Sequence, residues 1–121
     1  MHLLRHWVTD TVRRRTENVV KLYRNPEAMW REEDMQKEEA LEGLSKGEDV
    51  SGLGTSIIML SGNMHSLNLL GTEIWRLCEG KTVEELVSAL EADFEVERPV
   101  LEQDVRNFVN SLKGLGLLYE E

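Results

Sequence analysis

Few side chains in this sequence have the types and spacing that chemistry requires. His2 and His6 stand four residues apart, the spacing of a metal pair on a helix, but no nearby carboxylate or cysteine offers a third ligand and there is no His-Glu-x-x-His pattern. Gly52 and Gly54 form a lone Gly-x-Gly with no Gly-Lys-Ser/Thr after it, so they read as a flexible lead-in to a strand and not as a phosphate cradle. Cys78 falls on the apolar stripe of a helix, where a thiol is a small buried hydrophobe, not a nucleophile. Glu84, Glu85, Glu91, Asp93, Glu95 and Glu97 lack the apolar pocket that would push two carboxyl pKa values apart for acid and base work, and read as a solvated face. Arg13, Arg14 and Arg15 could steer an acidic partner, a membrane surface or RNA, or be exposed charge on a helical arm. What is left is a surface for binding. Met64, His65, Ser66 and Leu67 make the second strand of a hairpin, whose unpaired main-chain groups could accept an extended peptide as a further strand. Val105, Phe108, Val109 and Leu112 on the last helix would then wall a groove, with plain core as the alternative for the same residues.

The elements that must hold such a surface follow from local pattern. Leu4, Val8, Val12, Val19 and Leu22 fall loosely on one helical face, so residues 1–25 are expected as a basic helical arm that Asn25-Pro26 ends. Ala28 to Glu33 alternates like a short strand, Met35 to Leu44 reads as a solvated helix, and Ser45 to Gly54 as a loop; together residues 35–54 look like an inserted charged segment. Thr55 to Leu60 and Met64 to Leu67 flank the turn residues Ser61-Gly62-Asn63 and predict the hairpin. Asn68 is an N-cap for a helix to Glu79 that Gly80 closes, and Thr82-Val83-Glu84-Glu85 is a capping box opening a second helix. Pro99 suits the first turn of a third, which carries Leu101, Val105, Phe108 and Leu112 before Gly114. Leu115 to Tyr119 could be a short closing strand. The sum is an α+β domain, residues 26–121: a short antiparallel sheet of three strands followed by three helices, winged-helix-like.

Composition narrows the function classes. With 121 residues there is room for one core plus an appendage. The 23 acidic residues outnumber 14 basic ones, a formal charge of −9, which argues against a chain built to grip phosphate backbones. A winged-helix regulator would need Pro99 to Lys113 as its groove reader, yet Arg106 and Lys113 are cancelled there by Glu102 and Asp104. No run approaches the roughly 18 apolar residues of a membrane span. One cysteine and no signal-peptide pattern point to a cytoplasmic protein without disulfides, cofactors or metals.

The run Leu67-Asn68-Leu69-Leu70-Gly71-Thr72-Glu73-Ile74-Trp75-Arg76-Leu77-Cys78-Glu79-Gly80-Lys81-Thr82-Val83-Glu84-Glu85-Leu86 resembles the Leu-Asn, small residue, Ile-Trp/Leu, Leu, Asp/Glu-Gly, Thr-Val-Glu-Glu-Ile stretch of the PqqD family. Asp104-Val105, Phe108-Val109, Leu112 and Gly116-Leu117-Leu118 continue the likeness, and Trp30-Arg31-Glu32-Glu33 resembles a first strand seen in some members. The resemblance implies a peptide chaperone, or RiPP recognition element: a non-catalytic module that binds the leader of a ribosomally made precursor and presents it to a modifying enzyme, commonly a radical SAM protein. It also implies that the leader docks between the third strand and the third helix, here Met64 to Leu67 and a face made of Val105, Arg106, Val109 and Leu112. An open sheet edge leaves room for a homodimer as well.

Overall fold

The computed structural model describes residues 19–121, so the expectations placed on His2, His6, Arg13 to Arg15 and residues 1–18 of the arm fall outside the described residues. Where the arm was expected to finish as helix, Leu22–Arg24 form a strand, β1, which pairs antiparallel with the closing strand β5, Leu118–Glu120. The helical spacing loses because Leu22 gains more as a strand: its side chain is buried, its amide donates to the Lys81 carbonyl, and its own carbonyl accepts from the Gly80 amide. Tyr23 lies opposite Tyr119, and their rings stack at 5.6 Å between centroids.

After the Asn25-Pro26 turn comes β2, Met29–Glu32, then helix α1, Asp34–Ser45, then β3, Ser56–Leu60, and β4, Asn63–Leu67. The expected three-stranded antiparallel sheet is present with order β2-β3-β4, and α1 is spliced between its first two strands. As its composition demands, α1 is largely solvated and buries only Ala40. The β3–β4 hairpin turns on Ser61 and Gly62, both with positive φ (52° and 80°), and Leu60 pairs with Asn63. Two left-handed residues in a row match the twist of the strands they join, and the second position is where glycine carries no steric penalty.

Three helices follow: α2, Leu69–Leu77, α3, Val83–Asp93, and α4, Arg98–Gly114. Asn68 caps α2 by accepting from the Gly71 amide, and Thr82 with Glu85 closes the capping box of α3. Ile58 and Leu67 of the sheet meet Ile74, Trp75, Leu86, Leu90, Leu101 and Leu117 in one core. A buried hydroxyl chain ties α2 to the sheet: Thr72 Oγ1 sits 2.7 Å from both Thr55 Oγ1 and Ser56 Oγ. Trp75 is fully buried edge-on to Trp30 at 6.2 Å, with the Arg24 guanidinium within 6 Å of both rings (5.3 and 5.8 Å). Among the described residues no helix is long and apolar enough to cross a membrane.

Candidate functional site

Strand order leaves β4 at a margin of the sheet, with only β3 beside it. In a two-residue hairpin the closing pair, Leu60 and Asn63, is hydrogen-bonded, and pairs alternate from there. His65 and Leu67 therefore spend their main-chain groups on β3, while the amides and carbonyls of Met64 and Ser66 point away from it. Of the four residues expected to offer the edge, these two supply it. Their side chains go to the outer face, where Met64 continues an exposed row with Met59 and Met29. Those of His65 and Leu67 turn inward beside Ile58 and Ser56.

Across from the Leu67 end of β4 stands Phe108. Its ring rests on Gly71, where a Cβ would lie 2.8 Å from Phe108 Cε1. Ser51, Gly52, Leu53 and Gly54 form the other side, and with Ser66, Leu67 and Phe108 they bound a cleft of about 210 Å³. Gly54 is pressed against the Ser66 hydroxyl so closely that a side chain would displace it. Ser51, Asn68 and Phe108 also border a larger pocket of about 680 Å³ that opens between the loop after α1 and the turn joining α3 to α4. The strand margin, cleft and pocket are contiguous.

The helix side of the expected site is corrected. Val105, Val109 and Leu112 are 0–2% exposed and belong to the core, so they present nothing to the groove. They form the stripe of α4 that meets α2 and α3. One helical step around, Arg106 turns toward α3 instead, donating to Glu84 (3.3 Å) and Glu102 (3.0 Å). The groove wall is made by Phe108 with Asp104 and Asn107, of which the sequence had singled out Phe108 alone as a groove residue. The available signal was phase: positions 104, 107 and 108 share a face offset from the 105–109–112 stripe. A nucleic-acid role for α4 also loses its cations, since Lys113 is bound by Glu120 at 2.7 Å and Arg106 by two glutamates.

The free thiol among the described residues lies away from the groove. Cys78 is buried with its thiol 3.5 Å from the Trp75 carbonyl, and burial pushes that thiol up to about 11. What the arrangement can do is hydrogen-bond an extended backbone and bury its side chains.

The sequence profile described as coenzyme PQQ synthesis protein D (PqqD) matches residues 40–118, well over half the chain. The fold is similar to TbiB1 in complex with the TbiA(beta) leader peptide, at 25% identity and TM-score 0.58, covering 79% of this chain and 93% of that one. It is also similar to lasso peptide synthetase B1 complexed with the leader peptide, at 22% identity and TM-score 0.57, covering 82% and 98%. Among curated proteins, none matches the chain.

Proposed function

The chain belongs to the PqqD family, and we propose that it binds the leader of a ribosomally made precursor peptide as an added strand on β4 and presents the rest of that precursor to a separate modifying enzyme. The observation that carries this is the unpaired margin of β4 beside Phe108, with the Met64 and Ser66 main-chain groups directed outward. A leader strand laid there alternates its side chains between Phe108 and the methionine face. Solved structures of similar fold hold a leader peptide, which supports the same role for this chain. The chain acts by proximity: tethering the leader raises the local concentration of the precursor core at another protein's active site, so it needs no reactive group of its own. The family resemblance supports radical SAM or another maturation enzyme as the modifying partner, and we place the chain in the cytoplasm. The sheet's second margin, β2, is where a second copy of the chain would add if a homodimer forms.

The test is a fluorescence-anisotropy titration with the labelled leader of a precursor peptide encoded near this chain's gene. Micromolar or tighter binding is expected. Ser66→Pro removes an outward amide and spares the β3 ladder, so it should weaken binding at least about tenfold while circular dichroism stays unchanged. His65→Pro removes a ladder bond and should instead destabilise the hairpin. A leader that fails to bind, or that Ser66→Pro binds as well as the wild type does, rejects the proposal.

A further inference from the structure

The 680 Å³ pocket beyond the cleft has an apolar floor and a rim of one sign. Val50, Leu70, Phe94, Leu101 and Phe108 supply the floor. Glu48 and Asp49 stand on the rim from the loop after α1, Glu95 from the turn before α4, and Asp104 from α4 itself. No basic side chain lines it among the described residues, and none of the four carboxylates is in an ion pair with one of them. Some glutamates elsewhere are paired, as Glu73 is with Arg76 and Glu91 with Arg98. Asp49 is held in place by the Ser51 amide (3.0 Å) and hydroxyl (2.7 Å), which also keep its carboxyl below the usual range and so charged. A strand paired with β4 and continuing past Leu67 enters this pocket through the shared residues Ser51, Asn68 and Phe108.

We propose that this pocket is a specificity site for leaders that carry a large apolar side chain with lysine or arginine beside it. The apolar group fills the floor and the cation meets the rim. The inference rests on the leader-binding function proposed above and adds to it: β4 takes any extended backbone, whereas the loop after α1 and the α3–α4 turn choose among sequences. Carboxylates exposed at a rim act through water, so the charge preference is modest and fades with salt. Burial of the apolar anchor is the larger effect.

A random linear peptide library displayed on phage, panned at low salt against the full chain, tests this whatever the sequence of the natural leader. Recovered peptides should share Phe, Leu, Trp or Met next to Lys or Arg. In synthetic copies, alanine for the apolar residue should weaken binding about tenfold or more, and glutamate for each basic residue about twofold to fivefold. Asp49→Lys combined with Asp104→Lys should reverse the charge order. If that double variant loses its circular dichroism spectrum, Lys, Ser and Glu copies on the unmodified chain decide: affinity in that order, converging at high salt, supports the site, and equal affinities overturn it. Peptides that need β4, being lost with Ser66→Pro, but keep their preference on the reversed variant overturn the pocket and leave leader binding standing. Recovery of no peptide that depends on β4 overturns both.

Discussion

Gly71 controls the width of the groove with a missing methyl group. A Cβ there would lie 2.8 Å from Phe108 Cε1 and 3.3 Å from Leu67 Cβ, so glycine is what lets the ring come this close to α2 and leave the cleft open. Gly71→Ala gains up to about 1 kcal/mol of helix propensity but forces a crowded contact that costs about 1 to 3 kcal/mol. The expected result is a small loss of stability in thermal melts together with a several-fold loss of leader affinity by calorimetry, because the displaced ring moves into the cleft. Unchanged affinity would place Phe108 outside the site. Cys78 reports on the opposite side of the core. Burial holds its thiol at about 11 in the folded chain, against 9.0 for a free thiol. The folded state therefore keeps the proton longer, so stability is full below about pH 9 and falls as pH rises toward 11. In urea melts the advantage of the wild type over Cys78→Ala should narrow by about 1 to 3 kcal/mol across that window, and the thiol should react with thiol reagents at the rate of unfolding.

The helices begin where short-range chemistry says they must. In the capping box of α3 the Glu85 amide donates to Thr82 Oγ1 at 3.1 Å and the Thr82 amide to Glu85 Oε1 at 3.0 Å. Thr82→Ala should cost about 1 kcal/mol in urea unfolding. The Thr82 amide, with the Thr82 side chain beside it, holds the Glu85 carboxyl below its ordinary 4.5, so its support is present above that pH and lost as the pH falls. The gap between wild type and Glu85→Ala should be constant above the ordinary carboxyl value of 4.5 and close as the pH falls below it. Caps and turns of this kind join residues a few positions apart, which is why the Ser61-Gly62-Asn63 turn, the Asn68 cap, this box and the Pro99 start were legible in the sequence. What the apolar stripe of α4 faces was not. Leu101, Val105, Val109 and Leu112 mark an apolar stripe, but spacing alone does not say whether that stripe faces a core or a ligand. Because α2 and α3 both pack on it, the core takes it, and the groove is left with Phe108 and its polar neighbours. The β4 margin was legible because a hairpin has an outer strand; which of its residues point outward needed the register.

Taken entire, the described chain closes on itself. β1 pairs with β5 in a sheet separate from β2-β3-β4, and Lys21 and Glu121 exchange both main-chain bonds at the end of that pairing (3.0 and 2.9 Å). No pattern within residues 19–25 could announce this, since the partner strand lies at the opposite end of the sequence and the contact forms only once α2, α3 and α4 have brought it back. The consequence is that Leu22 is core and not part of a detachable arm. Its side chain is 1% exposed, its amide and carbonyl are bonded to the α2–α3 turn, and Arg24, two residues on, donates its amide to Glu79 at 2.9 Å. Leu22→Ala should therefore lower global stability by about 2 to 5 kcal/mol, the range for a large buried aliphatic side chain replaced by alanine. In urea the unfolding midpoint should drop with the slope unchanged, because the clasp and the three-stranded sheet unfold as one unit. Leader affinity measured well below that midpoint should stay at the wild-type value, since β4 and Phe108 lie in the other sheet and its groove. A separate early transition in Leu22→Ala, leaving the main transition in place, would show that β1 is an accessory strap and that the domain proper starts after Asn25.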